Sequence, residues 1–194
     1  MSDGAPRPDG VKINLGSGHW KLDGWINVDL DADSRPDVLA NLARPLPFAD
    51  GVAWLMHTED FIDQLELEQA AGFLAECHRV LQPGGILRVL TPDLEKMTVL
   101  YLEDPDELIR MWRENVGLPL QLNAASEVMN MGMRFAGHRF MYDPETLIAL
   151  ADRCGFDARQ RRYNQSDEPQ LVGTDLRTPE TALSMYFDLY RRDR

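Results

Sequence analysis

The feature that most constrains this chain is a change of hydrophobic period partway along it. Four short apolar runs, Val11–Leu15, Trp25–Leu30, Asp37–Leu42 and Val52–Met56, come before any helical pattern. The first ends in Gly16-Ser17-Gly18, the second in Asp29 and Asp31, and the third in Arg44-Pro45-Leu46-Pro47. Runs this short, bounded by turn residues, read as strands buried on both faces. The prolines lack the N–H that further pairing needs. From Phe61 to Leu81 apolar residues instead recur at helical spacing, which predicts a helix with one buried face. That helix should stop at Gln82-Pro83-Gly84-Gly85, and Ile86–Leu90, closed by Thr91-Pro92-Asp93, reads as a fifth strand. Such an order predicts a mainly parallel sheet with helices on both faces.

Beyond Asp93 the pattern predicts helices over Leu94–Leu102 and Pro105–Asn115. Gly117–Gly137 is rich in Met, Asn and Gly; Met129, Met131 and Met133 suit a surface that adapts to a ligand, or fill gaps under a loop. Glu145–Cys154 reads as a helix with Pro144 in its first turn and Gly155 as its cap. Arg159–Tyr163 and Leu183–Tyr190 read as the last strands, with Arg177–Ala182 a loop and Arg159, Arg161 and Arg162 an exposed face. Residues 1–10 read as a frayed tail and 11–194 as a single domain, the size that 194 residues with 44% hydrophobic content allows.

Charge and cysteine content narrow the function. Acidic residues number 32 against 20 basic ones, a net charge of -12 that repels nucleic acid. No apolar run approaches the roughly 18 residues of a membrane span, and the polar first ten residues lack a secretory pattern, so a cytoplasmic protein is expected. Cys77 and Cys154 are too few for a disulfide framework or a four-cysteine metal site and read as reduced thiols within helices. No metal is expected.

The sharpest local motif is Ile13-Asn14-Leu15-Gly16-Ser17-Gly18 followed by Asp29. Glycines after a strand let the backbone approach a ligand closely, and an acid at the tip of the next strand can accept both ribose hydroxyl protons. A dinucleotide would want a third glycine, a full helix and about 20 residues to the acid. Here His19 and Trp20 follow the glycines and Asp29 comes sooner, which points to a ribose without a diphosphate, as in S-adenosylmethionine (SAM). Taken alone, a Gly-x-Gly pair is as often only a tight turn.

A longer series of motifs resembles the class I SAM-dependent methyltransferases of the small bacterial, methyltransferase-11-like type. It begins with Lys12-Ile13-Asn14-Leu15-Gly16-Ser17-Gly18 and Gly24-Trp25-Ile26-Asn27-Val28-Asp29. Leu46-Pro47-Phe48-Ala49-Asp50, Thr58-Glu59-Asp60-Phe61-Ile62-Asp63-Gln64-Leu65 and Arg79-Val80-Leu81-Gln82-Pro83-Gly84-Gly85 follow. Leu87-Arg88-Val89-Leu90-Thr91-Pro92-Asp93-Leu94, Gly137-His138-Arg139-Phe140-Met141-Tyr142-Asp143 and Ala151-Asp152-Arg153-Cys154-Gly155-Phe156 complete it. The resemblance implies a Rossmann-like, mostly parallel seven-stranded sheet with a final antiparallel strand, a short first helix, and a lid insertion over about residues 94–143.

It also implies roles residue by residue. Gly16, Ser17, Gly18 and His19 would lie along the methionine part of SAM, and Asp29 would hold the ribose, with Leu30 beside the adenine. Asn41 and Leu42 match the loop that meets the adenine amino group, although the family usually has an acid there. His57, Thr58 and Glu59 would stand near the reactive methyl group. Asp60 occupies a position where the family often has His, so it is either an acid–base residue or the N-cap of the helix that follows. His57 is the plainer case of a packed strand-end residue. His138, titrating near neutrality in free solution, is the main candidate base, or else an anchor for the lid. Arg134, Arg139 and Tyr142 are candidate substrate contacts. The expected reaction is O- or N-methylation of a small molecule or short peptide by direct in-line transfer. Nucleic acid and membrane are not expected partners. Oligomeric state is open, a homodimer included. A non-catalytic partner subunit and a SAM-binding enzyme of non-methylating chemistry are the alternatives.

Overall fold

The computed structural model describes residues 10–193, so residues 1–9 of the tail expected over 1–10 lie outside the described residues. The strands are β1 (Val11–Leu15), β2 (Ile26–Asp29), β3 (Val38–Leu39), β4 (Ala53–Glu59), β5 (Leu81–Pro92), β6 (Phe156–Arg161) and β7 (Ser184–Arg191). They form one seven-stranded sheet in the order β3-β2-β1-β4-β5-β7-β6. All pairs are parallel except those of β7, which runs antiparallel to β5 and β6. The mostly parallel, Rossmann-like sheet with a final antiparallel strand is therefore present. The helices are α1 (Leu67–Val80), α2 (Leu94–Glu103), α3 (Pro105–Met111), α4 (Ala125–Gly132) and α5 (Pro144–Arg153). No helix among the described residues is long and apolar enough to cross a membrane.

Several boundaries differ from expectation for local reasons. The expected short first helix between β1 and β2 is a run of turns through Gly16, Ser17 and Gly18. The helix expected from Phe61 starts at Leu67, after a single 3₁₀ turn over Ile62–Gln64 and an extended Leu65. Its start is marked by the Glu66 N–H donating to Gln69 Oε1 at 3.1 Å. Gln82-Pro83-Gly84-Gly85 does not precede a strand but lies inside β5. There the register with β4 jumps from Ala53↔Leu81 to Leu55↔Ile86, and Gly84 adopts φ +73°. A glycine in the left-handed region lets the strand bulge rather than end. The methionine-rich stretch contains α4; Met129 and Met131 pack against a cluster of Leu108, Trp112, Ala125 and Val128, while Met133 is exposed.

The sheet's two faces are unlike. One is apolar: Ile13, Leu15, Met56, Leu87, Val89, Phe187 and Leu189 pack with Phe73, Leu74 and Cys77 of α1 and with Leu147, Leu150 and Ala151 of α5. The other face carries a polar row. Strand pairing places Asn27 opposite Asn14, Asn14 opposite His57, His57 opposite Arg88, and Arg88 opposite Asp188. All five are buried. This face is covered by Leu22, Trp25 and the segment between β6 and β7, whose 3₁₀ turn Pro169–Leu171 contributes Leu171.

The same segment supplies the counter-charge for the row. Arg88, fully buried, donates from Nε and Nη2 to Asp175 at 3.0 and 2.5 Å and from Nη1 to Asp188 at 2.9 Å. Burial works against its charge, and the two carboxylates outweigh it, so its pKa is raised. Arg161 joins the network through Asp188 at 3.0 Å and Asp167, so it is not part of a solvated face as expected.

Candidate functional site

Topology alone marks the place where a ligand fits. β2 and β3 extend to one side of β1, while β4 and β5 extend to the other. A crevice opens at such a switch point, outside the carboxyl ends of the strands. A cavity of about 420 Å³ lies there, lined by Asn14, Gly16, Ser17, Gly18, His57 and Glu59, and roofed by Thr174, Leu176 and Arg177.

Its floor is the turn after β1. Gly16 and Gly18 have φ +73° and +48°, values that L side chains rarely adopt. A Cβ on Gly16 would also come within 3.2 Å of Phe61 Cβ. The Gly18 N–H donates to Asp29 Oδ2 at 2.7 Å and the Asp31 N–H donates to Asp29 Oδ1 at 2.8 Å. The carboxylate at the tip of β2 is therefore fixed in direction, with a lone pair left on each oxygen. Ser17 is buried, and its Oγ has no hydrogen-bond partner among the described residues.

The wall comes from β1 and β4. Asn14 donates from Nδ2 to Asn27 Oδ1 at 3.0 Å and to Trp20 O at 3.2 Å, so its Oδ1 is left to accept from the His57 Nδ1–H at 3.1 Å. This network assigns the proton of His57 to Nδ1 and leaves Nε2 as an acceptor, without a hydrogen-bond partner among the described residues and 3.8 Å from Glu59 Oε2. Burial, with the Arg88 charge adding to it, holds the His57 pKa down to about 3. Glu59 accepts from the Leu176 N–H at 3.1 Å and the Arg177 N–H at 2.7 Å, fastening the covering segment to the tip of β4. Burial pushes its pKa up to about 7 against those two hydrogen bonds.

Asp60, at φ +51°, does not cap a helix. Its Oδ2 accepts instead from Arg177 Nε at 2.6 Å. Asp60, Arg177 and Thr181 also line a second cavity, of about 310 Å³, that opens under α2, α3 and α4. That cavity is largely apolar, with Met97, Leu108, Met111, Trp112, Val128 and Met141 along it. The Asp60–Arg177 pair stands where the two spaces meet.

His138 lines the second cavity with both ring nitrogens engaged. Its Nδ1–H donates to Gly132 O at 2.8 Å, and Nε2 lies 3.1 Å from Asp63 Oδ2. Asp63 is fully buried and accepts from Thr91 Oγ1 at 3.0 Å; burial raises its pKa, and the facing His138 opposes that rise. Asp63 O also accepts from the N–H groups of Arg139 and Phe140, which ties this segment to the core.

The remaining sequence candidates fall away from the cavities. Arg139 pairs with Glu66 at 3.2 Å on the surface, and the Arg134 side chain is exposed. Tyr142 is buried beside Phe140, with a hydroxyl that burial makes a weaker acid. His19 and Leu30 are exposed. Asn41 is exposed too, its Oδ1 accepting from the Ala43 N–H at 3.0 Å, while Leu42 belongs to the core. Thr58 is buried behind the wall. Sequence reasoning passed over Asn14, Asp63, Thr174, Leu176, Arg177 and Thr181. One signal was present: the consecutive acids Glu59-Asp60 at a strand end call for donors from elsewhere in the chain.

No protein-family model matches the sequence, and no curated protein matches it in sequence. Solved structures do match in fold. A SAM-dependent methyltransferase from Mesorhizobium loti is 16% identical, with a TM-score of 0.55 over 96% of this chain and 94% of that one. One from Archaeoglobus fulgidus is 14% identical, with a TM-score of 0.58 over 95% of this chain and 87% of that one. Another from Methanosarcina mazei is 14% identical, with a TM-score of 0.58 over 96% of this chain and 95% of that one. The shared sheet and its switch-point crevice give this chain the Rossmann-like fold of the class I SAM-dependent methyltransferases.

Proposed function

We propose that the chain is a SAM-dependent methyltransferase that transfers the methyl group directly, in line, to an oxygen or nitrogen of a small-molecule acceptor. One observation carries the reading: a cavity lined by a glycine turn, itself hydrogen-bonded to the Asp29 carboxylate, meets a second, mostly apolar cavity at the Asp60–Arg177 pair. The unpartnered, buried Ser17 Oγ and His57 Nε2 support the fit of a polar ligand in the first cavity.

In this reading Asp29 receives the ribose hydroxyls on its free lone pairs. The exposed Leu30 and Asn41 are covered by the adenine. The backbone at Gly16, Ser17 and Gly18 runs along the methionine portion, and Glu59 faces its positive charge. When bound, SAM supplies a methyl group already activated on a sulfonium. The protein's own tasks are then to hold the acceptor in line, to exclude water, and to take up any proton the acceptor loses. Asp60 stands at the junction with a carboxylate for that proton. His138, with Nε2 3.1 Å from the buried Asp63 carboxylate, is the second acid–base group of the acceptor cavity.

Calorimetric titration tests the cofactor assignment. SAM and S-adenosylhomocysteine (SAH) should each bind with a Kd on the order of micromolar, about -8 kcal/mol. Binding of neither ends the proposal.

Glu59 gives that titration a pH signature. Its pKa of about 7 in the free protein means that part of the population carries a proton at neutrality. A sulfonium favours the ionised form, so binding SAM releases a proton, and affinity rises with pH through 7. From about pH 6 to about pH 8 SAM affinity should rise severalfold, at most about tenfold per pH unit. SAH lacks the sulfonium charge and should show a shallower rise. Glu59→Gln should abolish the difference between the two slopes, and equal slopes in the unaltered protein would refute the role given to Glu59.

A further inference from the structure

The second cavity restricts the acceptor more than the fold does, and the inference drawn from it rests on the methyltransferase reading above. At about 310 Å³ it lies at the lower end of small-ligand pockets, roughly 300–1,000 Å³, room for one or two rings. Met97, Met111, Trp112, Val128 and Met141 give it walls suited to a flat apolar body. At the end nearest the first cavity stand one carboxylate and one guanidinium, Asp60 and Arg177, already paired at 2.6 Å.

That pair discriminates among nucleophiles. A carboxylate acceptor is welcomed by Arg177 but repelled by Asp60, and it has no proton to give. An alkylammonium suits Asp60, but its charge faces Arg177. An aliphatic alcohol is too weak an acid for a carboxylate to take its proton. An aromatic hydroxyl satisfies both members: it donates to Asp60, and the negative charge that develops on its oxygen is met by Arg177.

We infer that the acceptor is a phenol, a one- or two-ring aromatic hydroxyl compound seated in the lid cavity with its oxygen between Asp60 and Arg177. In the transfer, the phenol oxygen forms the new O–CH₃ bond as the S–CH₃ bond breaks. The sulfur keeps the bonding electron pair as a neutral thioether, and the phenolic proton ends on the Asp60 carboxylate. The charges balance: a sulfonium and a carboxylate become a thioether and a carboxylic acid.

Three probes of one shape test this on the full chain, with and without SAH: 2-naphthol, naphthalene-2-carboxylate and 2-naphthylmethylammonium. Calorimetry should find 2-naphthol bound at least about tenfold more tightly than either charged probe. Met111→Trp and Met141→Trp, at half-buried positions along the cavity, should each weaken 2-naphthol about tenfold while leaving SAH affinity unchanged, which also verifies folding. Arg177→Gln, at an exposed side chain, should move the preference toward the ammonium probe. Equal or tighter binding of a charged probe overturns the inference, as does 2-naphthol binding that neither tryptophan variant weakens. Failure of SAH to bind overturns the methyltransferase reading instead. The probe ranking without SAH decides the acceptor class in either case.

Discussion

Replacing Arg88 with methionine is expected to destabilise the protein by about 3–5 kcal/mol, the cost of removing one partner from a buried ion pair. Arg88 is fully buried, with Asp175 and Asp188 as its carboxylate partners. The substitution conserves much of the aliphatic volume, so the loss would come mainly from carboxylates left in a poorly solvated interior rather than from a cavity. Urea denaturation should show a large drop in midpoint with little change in slope. The triple variant Arg88→Met, Asp175→Asn, Asp188→Asn should recover a substantial part of the loss, because neutral amides cost less to bury than unpaired charges. A single-variant loss below about 1 kcal/mol would be the magnitude of an exposed pair and would contradict the network described. The effect should reach the proposed cofactor site as well. Asp175 directly precedes Leu176 and Arg177, whose N–H groups hold Glu59.

The second large effect is at Asp29. Its carboxylate fixes the glycine turn through Gly18 at 2.7 Å and is proposed to receive both ribose hydroxyls. Asp29→Ala removes both functions together. Each hydrogen bond to a charged group contributes about 1.5–3 kcal/mol, so SAH affinity should fall by on the order of 100-fold or more. Folding should be far less affected, since the side chain stands at the carboxyl-terminal tip of β2 and is not part of the core. A decrease smaller than about threefold in calorimetry would remove Asp29 from the cofactor site.

These two residues mark what was and was not legible in the sequence. Asp29 was visible because a glycine turn and an acid at the next strand tip form a local pattern. The strands themselves were legible for a similar reason: short apolar runs between breakers. Arg88 was hidden. In β5 it sits as one polar residue among Leu87, Val89 and Leu90, and nothing nearby says what it meets. Asn14 and His57 are equally isolated in their strands, and only strand register brings Asn27, Asn14, His57, Arg88 and Asp188 into one row. A reading based on apolar runs treats both faces of a parallel sheet as alike; here one of them is polar.

Long separation hid the rest of the site. Arg177 meets Asp60 across 117 positions, and Arg88 meets Asp175 across 87. Asp60 read as a helix cap because acids are favoured there, but Leu65 is extended and α1 starts only at Leu67. The sequence offers Asp60 as a candidate, and its partner is out of reach of any local pattern. The bulge in β5 is hidden because strand pairing with β4 overrides the local signals of Pro83, Gly84 and Gly85.

The most direct measurement of the central claim is a crystal structure of the full chain with SAH. The ribose hydroxyls should lie on the Asp29 carboxylate, the homocysteine portion along Gly16, Ser17 and Gly18, and the sulfur should be directed at the junction between Asp60 and Arg177. SAH bound elsewhere, or bound in this cavity with its sulfur turned away from that junction, would contradict it.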